Sequence, residues 1–91
     1  MGLINWEKQD KHGAALQHAN LRSACLVDTD LSAANLEGAD LQWADLSGAN
    51  LRGANLRNAK LDHAKLSGAD LRGTSLQGAS TEGADTWGTQ F

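Results

Sequence analysis

The sequence predicts an all-β solenoid of short stacked coils, and three observations predict it. Leucine recurs at every fifth position without a gap: Leu16, Leu21, Leu26, Leu31, Leu36, Leu41, Leu46, Leu51, Leu56, Leu61, Leu66, Leu71 and Leu76. The residue two places before each leucine is nearly always alanine. Two places after it glycine accumulates, at Gly38, Gly48, Gly53, Gly68, Gly73, Gly78, Gly83 and Gly88, which is eight of the ten glycines.

A period of five suits neither common element. A helix turns about 100° per residue, so successive leucines would drift by about 140° and form no stripe. A plain strand needs strict alternation. Divided into three and two, the unit makes sense. Ala, polar and Leu form an extended piece with Ala and Leu on one side and the polar residue on the other, and the next two residues turn a corner. With leucine first in a four-residue turn, glycine falls third, where a type II turn requires positive φ. The corners at His18, Ser23, Asp28, Ala33, Trp43, Asn58 and His63 lack glycine, and other turn geometries are expected there. Proline is absent, as suits a backbone whose N–H groups bond to the next coil.

One coil cannot bury its leucines, whereas a stack can, as in other repeat proteins. A side of about three residues plus a corner is too short to close in two or three sides, and four sides make a square coil. Coils would then lie about 4.8 Å apart. The tandem Ala-(Asp/Asn)-Leu-x-x, as in Ala49-Asn50-Leu51-Arg52-Gly53, resembles the pentapeptide-repeat family over residues 14–91. The resemblance implies a right-handed quadrilateral β-helix with four pentapeptides per coil, hence about four coils, with residues twenty apart in one column. It implies little about function, because one fold hosts many roles.

Residues 1–13 depart from the repeat, with Gln9 and Lys11 standing where Ala and Leu belong. They are expected to form a cap or arm, a short helix or irregular strand laying Trp6 across the first coil. At the other end leucine gives way to Thr81, Thr86 and Phe91, and Trp87 occupies an outward corner slot. Phe91 is expected either to plug the core end or, with Trp87, to meet a second copy in a homodimer through the C-terminal coil, since open strand edges invite association.

The net charge is −3, all of it from the repeat region, and this argues against a nucleic-acid binder, which would show a basic stripe. Cys25 is the one cysteine and permits no internal disulfide, which suits a reducing, cytoplasmic setting. It fills an outward slot and is expected to be an inert thiol. No apolar run signals export or a membrane span. Gly2 invites N-myristoylation, but Trp6 stands where Ser or Thr is needed, and this reading is rejected.

Read at twenty residues, the corner column Ser23, Trp43, His63, Gly83 places an aromatic beside a histidine, a candidate contact patch or a simple stack. Arg52 and Arg72 share another column, flanked by Asp30, Asn50 and Asp70, and are candidates to grip a carboxylate or phosphate. Opposite charges align in Asp45, Lys65 and Asp85, in Asp40 with Lys60 and in Glu37 with Arg57; Asp62 and Glu82 align as like charges. His12, His18 and His63 lack metal-ligand spacing, and Ser32, Ser47 and Ser67 have no histidine placed to activate them. No catalytic, cofactor or metal site is expected.

These readings favour a non-enzymatic protein-interaction or scaffold module with an unidentified protein partner. The resemblance supplies an alternative, a DNA mimic acting on a type II topoisomerase such as gyrase. A short rod with a small negative charge and with Arg52, Arg57 and Arg72 on its surface fits that poorly. A third reading is a structural repeat fragment of a larger assembly.

Overall fold

The computed structural model describes residues 3–91; Met1 and Gly2, and with them the myristoylation question, lie outside the described residues. Parallel bridges join the middle residue of each unit to the residue twenty positions on, from Asn5 with Cys25 to Asp70 with Gln90. Four turns lie between bridged partners. Each coil is therefore four-sided, and the molecule measures 31 × 26 × 22 Å.

The hydrogen bonds of one unit explain the repeat. In Leu46–Asn50, the Leu46 N–H donates to Lys65 O in the next coil at 2.7 Å and the Gly48 N–H to Ser67 O at 2.9 Å. The Ala49 N–H closes the turn onto Leu46 O at 3.0 Å, and the Asn50 N–H reaches back to Thr29 O at 3.0 Å. The remaining donor, the Ser47 N–H, is taken by the Asp45 carboxylate at 3.0 Å. All five donors are thus satisfied. Aspartate or asparagine at the middle slot is therefore the acceptor for an N–H that neither neighbouring coil reaches, the Asx-turn role of these side chains. The same bond recurs from Asn5 to Asp85 wherever Asp or Asn fills the slot outside the turn of Glu82.

Alanine and leucine point inward. Every leucine from Leu21 to Leu71 is at most 2% exposed, stacked in columns with the alanines of the intervening slots, whereas Leu16 and Leu76 at the ends of the series are half-buried. Thr29 replaces alanine in one coil and is also buried; its hydroxyl donates to Trp6 O at 2.7 Å.

Two expectations are corrected. The corners without glycine do not adopt other geometries: His18, Ser23, Asp28, Ala33, Trp43, Asn58 and His63 all have φ between 56° and 64°, the region the glycines occupy. The corner N–H is tied to the next coil at each of these positions, from His18 to His63, so the ladder dictates the backbone and an L-residue there bears about 1–2 kcal/mol of strain. Such a residue also needs room. A methyl group built at Gly38 or Gly83 would stand 2.5 Å from Nδ1 of His18 or His63, one coil earlier. At Gly48 it would strike the Asp28 carboxylate, and at Gly78 the Asn58 side chain. His18, Asp28, Asn58 and His63 thus each lie over a glycine of the following coil.

Second, residues 3–13 are neither helix nor irregular strand. Asn5 and Asp10 form bridges, and Lys8 and Gly13 take the corner φ of 60° and 70°. Backbone pairing extends the coil although Gln9 and Lys11 break the side-chain pattern. Trp6 and Lys11 fill leucine slots; Trp6 packs against the core and the Lys11 ammonium lies 4.6 Å from its ring centroid. Capping is done by these two side chains on a regular coil.

Candidate functional site

The corner preceding the side Ala44–Leu46 carries the most distinctive surface group. Trp43 and His63 stack with ring centroids 4.3 Å apart and planes 16° from parallel. The stack follows from the register: both residues occupy the same positive-φ slot in successive coils, and their backbones are tied to Asp62 O and Glu82 O respectively. Gly83 leaves space for the His63 ring. Trp43 remains 58% exposed, a large apolar surface at a position where glycine is the common residue.

Beside the stack lie Asp62 and Glu82. Their alignment is cooperative rather than merely repulsive, because Asp62 accepts the Glu82 N–H at 2.9 Å and the Ser80 hydroxyl at 3.0 Å. Middle-slot Ser80 is not placed as an Asx acceptor, and Asp62 from the previous coil replaces it. Among the described residues no ion pair within 4.0 Å forms at Asp62, Glu82, Lys65 or Lys60, nor between Glu37 and Arg57, so the aligned charges are stacked but not paired. The ion pair that does form on this side, Arg22 with Asp40 at 3.4 Å, was not among the aligned columns. The Asp40 carboxyl is held low; burial opposes this, while the Gln42 bonds and Arg22 outweigh it.

Of the two arginines proposed to grip an anion, Arg72 is engaged within the protein and Arg52 lies near the same carboxylate. Arg72 makes a fork to Asp70, with Nε at 2.9 Å and the terminal nitrogen at 2.7 Å, while the Arg52 Nε stands 3.9 Å from the same carboxylate. The Arg72 hydrogen bonds chiefly hold the Asp70 carboxyl down to about 2, and the same fork raises Arg72. The anion that Arg72 holds is the protein's own. Nor does the fold unite the four candidate residues: the arginine column lies two corners away from Trp43 and His63, on the diagonally opposite edge of a four-cornered coil.

His12 and Ser32 share a column, contrary to the expectation that no serine has a histidine beside it. Nδ1 of His12 lies 2.8 Å from the Ser32 Oγ, and the Ser32 hydroxyl donates to Asp30 at 2.6 Å, which keeps that carboxyl low. With its proton given to Asp30, the hydroxyl accepts from His12. That polarity is the reverse of nucleophile activation. Extending the twenty-residue column into residues 3–13 would have found the contact. Cys25 is half-buried in the outward column Asn5, Asp45, Lys65, Asp85. Among the described residues no three His, Cys, Asp or Glu side chains converge to hold a metal. Phe91 does not plug the core; it is 68% exposed, and Trp87 is 79% exposed.

Comparison with known proteins places this geometry. The family model for pentapeptide repeats matches residues 14–53, 39–78 and 54–85, with eight copies. The chain is similar to HetL, a pentapeptide repeat protein involved in heterocyst differentiation regulation from Nostoc sp. strain PCC 7120, with 39% identity, a TM-score of 0.89, and coverage of 93% of this chain and 39% of HetL. It is also similar to Rfr23 of Cyanothece 51142, with 34% identity, a TM-score of 0.65, and coverage of 80% of this chain and 56% of Rfr23. QnrB1, a plasmid-mediated fluoroquinolone resistance protein, shares the fold at 22% identity and a TM-score of 0.85, over 94% of this chain and 55% of its own. The chain therefore spans well under two thirds of the length of these proteins. No curated protein matches the sequence. With repeat, register and family model in agreement, the chain belongs to the pentapeptide-repeat family.

Proposed function

We propose that this chain is a non-enzymatic protein-interaction or scaffold module, working in the cytoplasm without a cofactor, and that the Trp43–His63 corner is its contact surface. The observation that carries the reading is an aromatic stack held rigidly by two coils yet more than half open at Trp43. A preformed aromatic costs little entropy to bury, which is why tryptophan anchors many interfaces. The regulatory involvement stated for HetL is in keeping with a partner-binding role. The right-handed quadrilateral form, with about four coils, is supported by the twenty-residue register and the HetL likeness.

A pull-down from native extract tests the proposal. Trp43→Ala combined with His63→Ala is expected to lose the partners retained by the wild type, and an unchanged set would remove this corner as the contact surface. A homodimer through the C-terminal coil would cover Phe91; light scattering giving a monomer mass across the micromolar range would reject it. The gyrase reading is less favoured, since no dimension of the molecule exceeds 31 Å and Asp40 and Asp70 are paired with arginines. It predicts inhibition of supercoiling by excess protein, and none is expected here.

A further inference from the structure

The large apolar side chains exposed on the outer wall are not scattered around it. Trp43 occupies the corner that precedes the side of Asp45, Lys65 and Asp85, and Trp87 the corner that follows it, because Trp87 shares its column with Ser47 and Ser67. The backbone N–H of Trp87 is bonded to the Asp85 carboxylate at 3.1 Å, so this aromatic is tied to the same side. The corners of Arg52 and Arg57 carry no exposed tryptophan or phenylalanine among the described residues.

The charge on this side is equally distinctive. Between the two tryptophans stand Asp45, Asp62, Glu82 and Asp85, against the ammonium of Lys65, and none is in an ion pair within 4.0 Å among the described residues. Asp45 and Asp85 each use Oδ1 inward, on Ser47 and Trp87, with no bond to Oδ2. The neighbouring acidic side, Asp10, Asp30 and Asp70, differs at Asp70, which is covered by Arg72 and Arg52.

Resting on the module reading above, we infer that the side bounded by Trp43 and Trp87 binds a cationic, arginine-bearing segment of a protein partner. The guanidinium planes lie on the indoles while their N–H groups meet the uncommitted carboxylate oxygens. Guanidinium suits both halves of the surface, since it stacks on aromatic faces and donates in a planar fork to carboxylates. The partner segment lies across a wall made rigid by the ladder, so the wall loses little freedom on binding.

The test is titration of the full chain, labelled with ¹⁵N, with an (Arg-Gly)₄ peptide, and with (Glu-Gly)₄ as control. Shift changes are expected at Trp43, His63, Glu82, Asp85 and Trp87, with salt-sensitive binding. Trp43→Ala is expected to weaken binding about tenfold, as is Glu82→Gln with Asp85→Asn, while Arg52→Ala is expected not to weaken it; the unbound spectra report whether each variant is folded. Shifts centred on Asp10, Asp30 and Asp70, an affinity that these variants leave unchanged, or equal binding of the acidic peptide would overturn the inference. If the extract pull-down loses partners with the Trp43 and His63 variants while the arginine peptide does not bind, the cationic partner is wrong and the interaction module stands.

Discussion

At the N-terminal end the leucine slots hold Trp6 and Lys11, both half-buried, with the ammonium over the indole and the buried Thr29 hydroxyl bonded to Trp6 O. At the C-terminal end the same slots hold Thr81, Thr86 and Phe91, all exposed, and Leu76 is half-buried beneath them. Among the described residues the N–H groups of Leu76, Gly78 and Thr81 find no backbone acceptor, whereas those of Leu46 and Gly48 in the middle reach the next coil. The backbone is nearly identical at the two ends. What differs is whether the slot carries a side chain broad enough to cover the column and polar enough to face water, and Trp6 with Lys11 meets both demands. A solenoid end is closed by chemistry in one slot rather than by a change of fold.

The largest effect expected from breaking this comparison is in the interior. Leu46→Ala should cost about 2–5 kcal/mol in urea unfolding, since the leucine is fully buried and its neighbours cannot collapse. Leu76→Ala should cost less than half as much, and equal losses would mean that the C-terminal coil is packed as tightly as the middle. Next, Trp6→Ala should cost about 2 kcal/mol by uncovering the first coil, while Phe91→Ala should stay within about 0.5 kcal/mol. Hydrogen exchange should locate the Trp6 effect at Cys25 and Asp30, whose N–H groups are bonded to Ile4 O and Gln9 O of the first coil.

A smaller effect separates the corners. Gly48→Ala adds both backbone strain and a clash with Asp28, and should cost about 2–3 kcal/mol; Gly53→Ala meets no atom within 4 Å and should cost about 1 kcal/mol. Equal values would show that Asp28 swings away freely. Smallest is the electrostatic comparison along one side. Asp70, with a carboxyl at about 2, is depressed below its unfolded value of 3.8, so its stabilising contribution is complete above that value and is lost as pH falls through about 2. Arg72→Ala should move the Asp70 midpoint, followed by NMR, up towards the ordinary range. Asp30, held mainly by the Ser32 hydroxyl, should not move.

The residues differ in how much they disclosed in advance. Leu16 through Leu76, with alanine two places before, required an inward-facing repeat, because a five-residue period has no helical or simple strand solution. The neighbouring of Trp43 and His63 followed from the twenty-residue column that the family resemblance implies. Three features did not. Gln9 and Lys11 concealed the first coil, because side-chain pattern was read where backbone pairing governs. His18 and Ala33 gave no sign of a glycine-like backbone, since the ladder imposes it. Asp70 was visible beside Arg52 and Arg72, but only the structure shows that Arg72 forks onto it.

By itself, the sequence determined the inward slots, the corner spacing and the family, because these depend on side-chain identity at a fixed interval and on the steric freedom of glycine. The tertiary structure decided which charges neutralise one another, which corner residues tolerate strain, and that Trp43 and Trp87 frame a single acidic side. Those outcomes depend on where side chains meet within a coil and between coils, where a difference of one ångström separates an ion pair from two solvated charges.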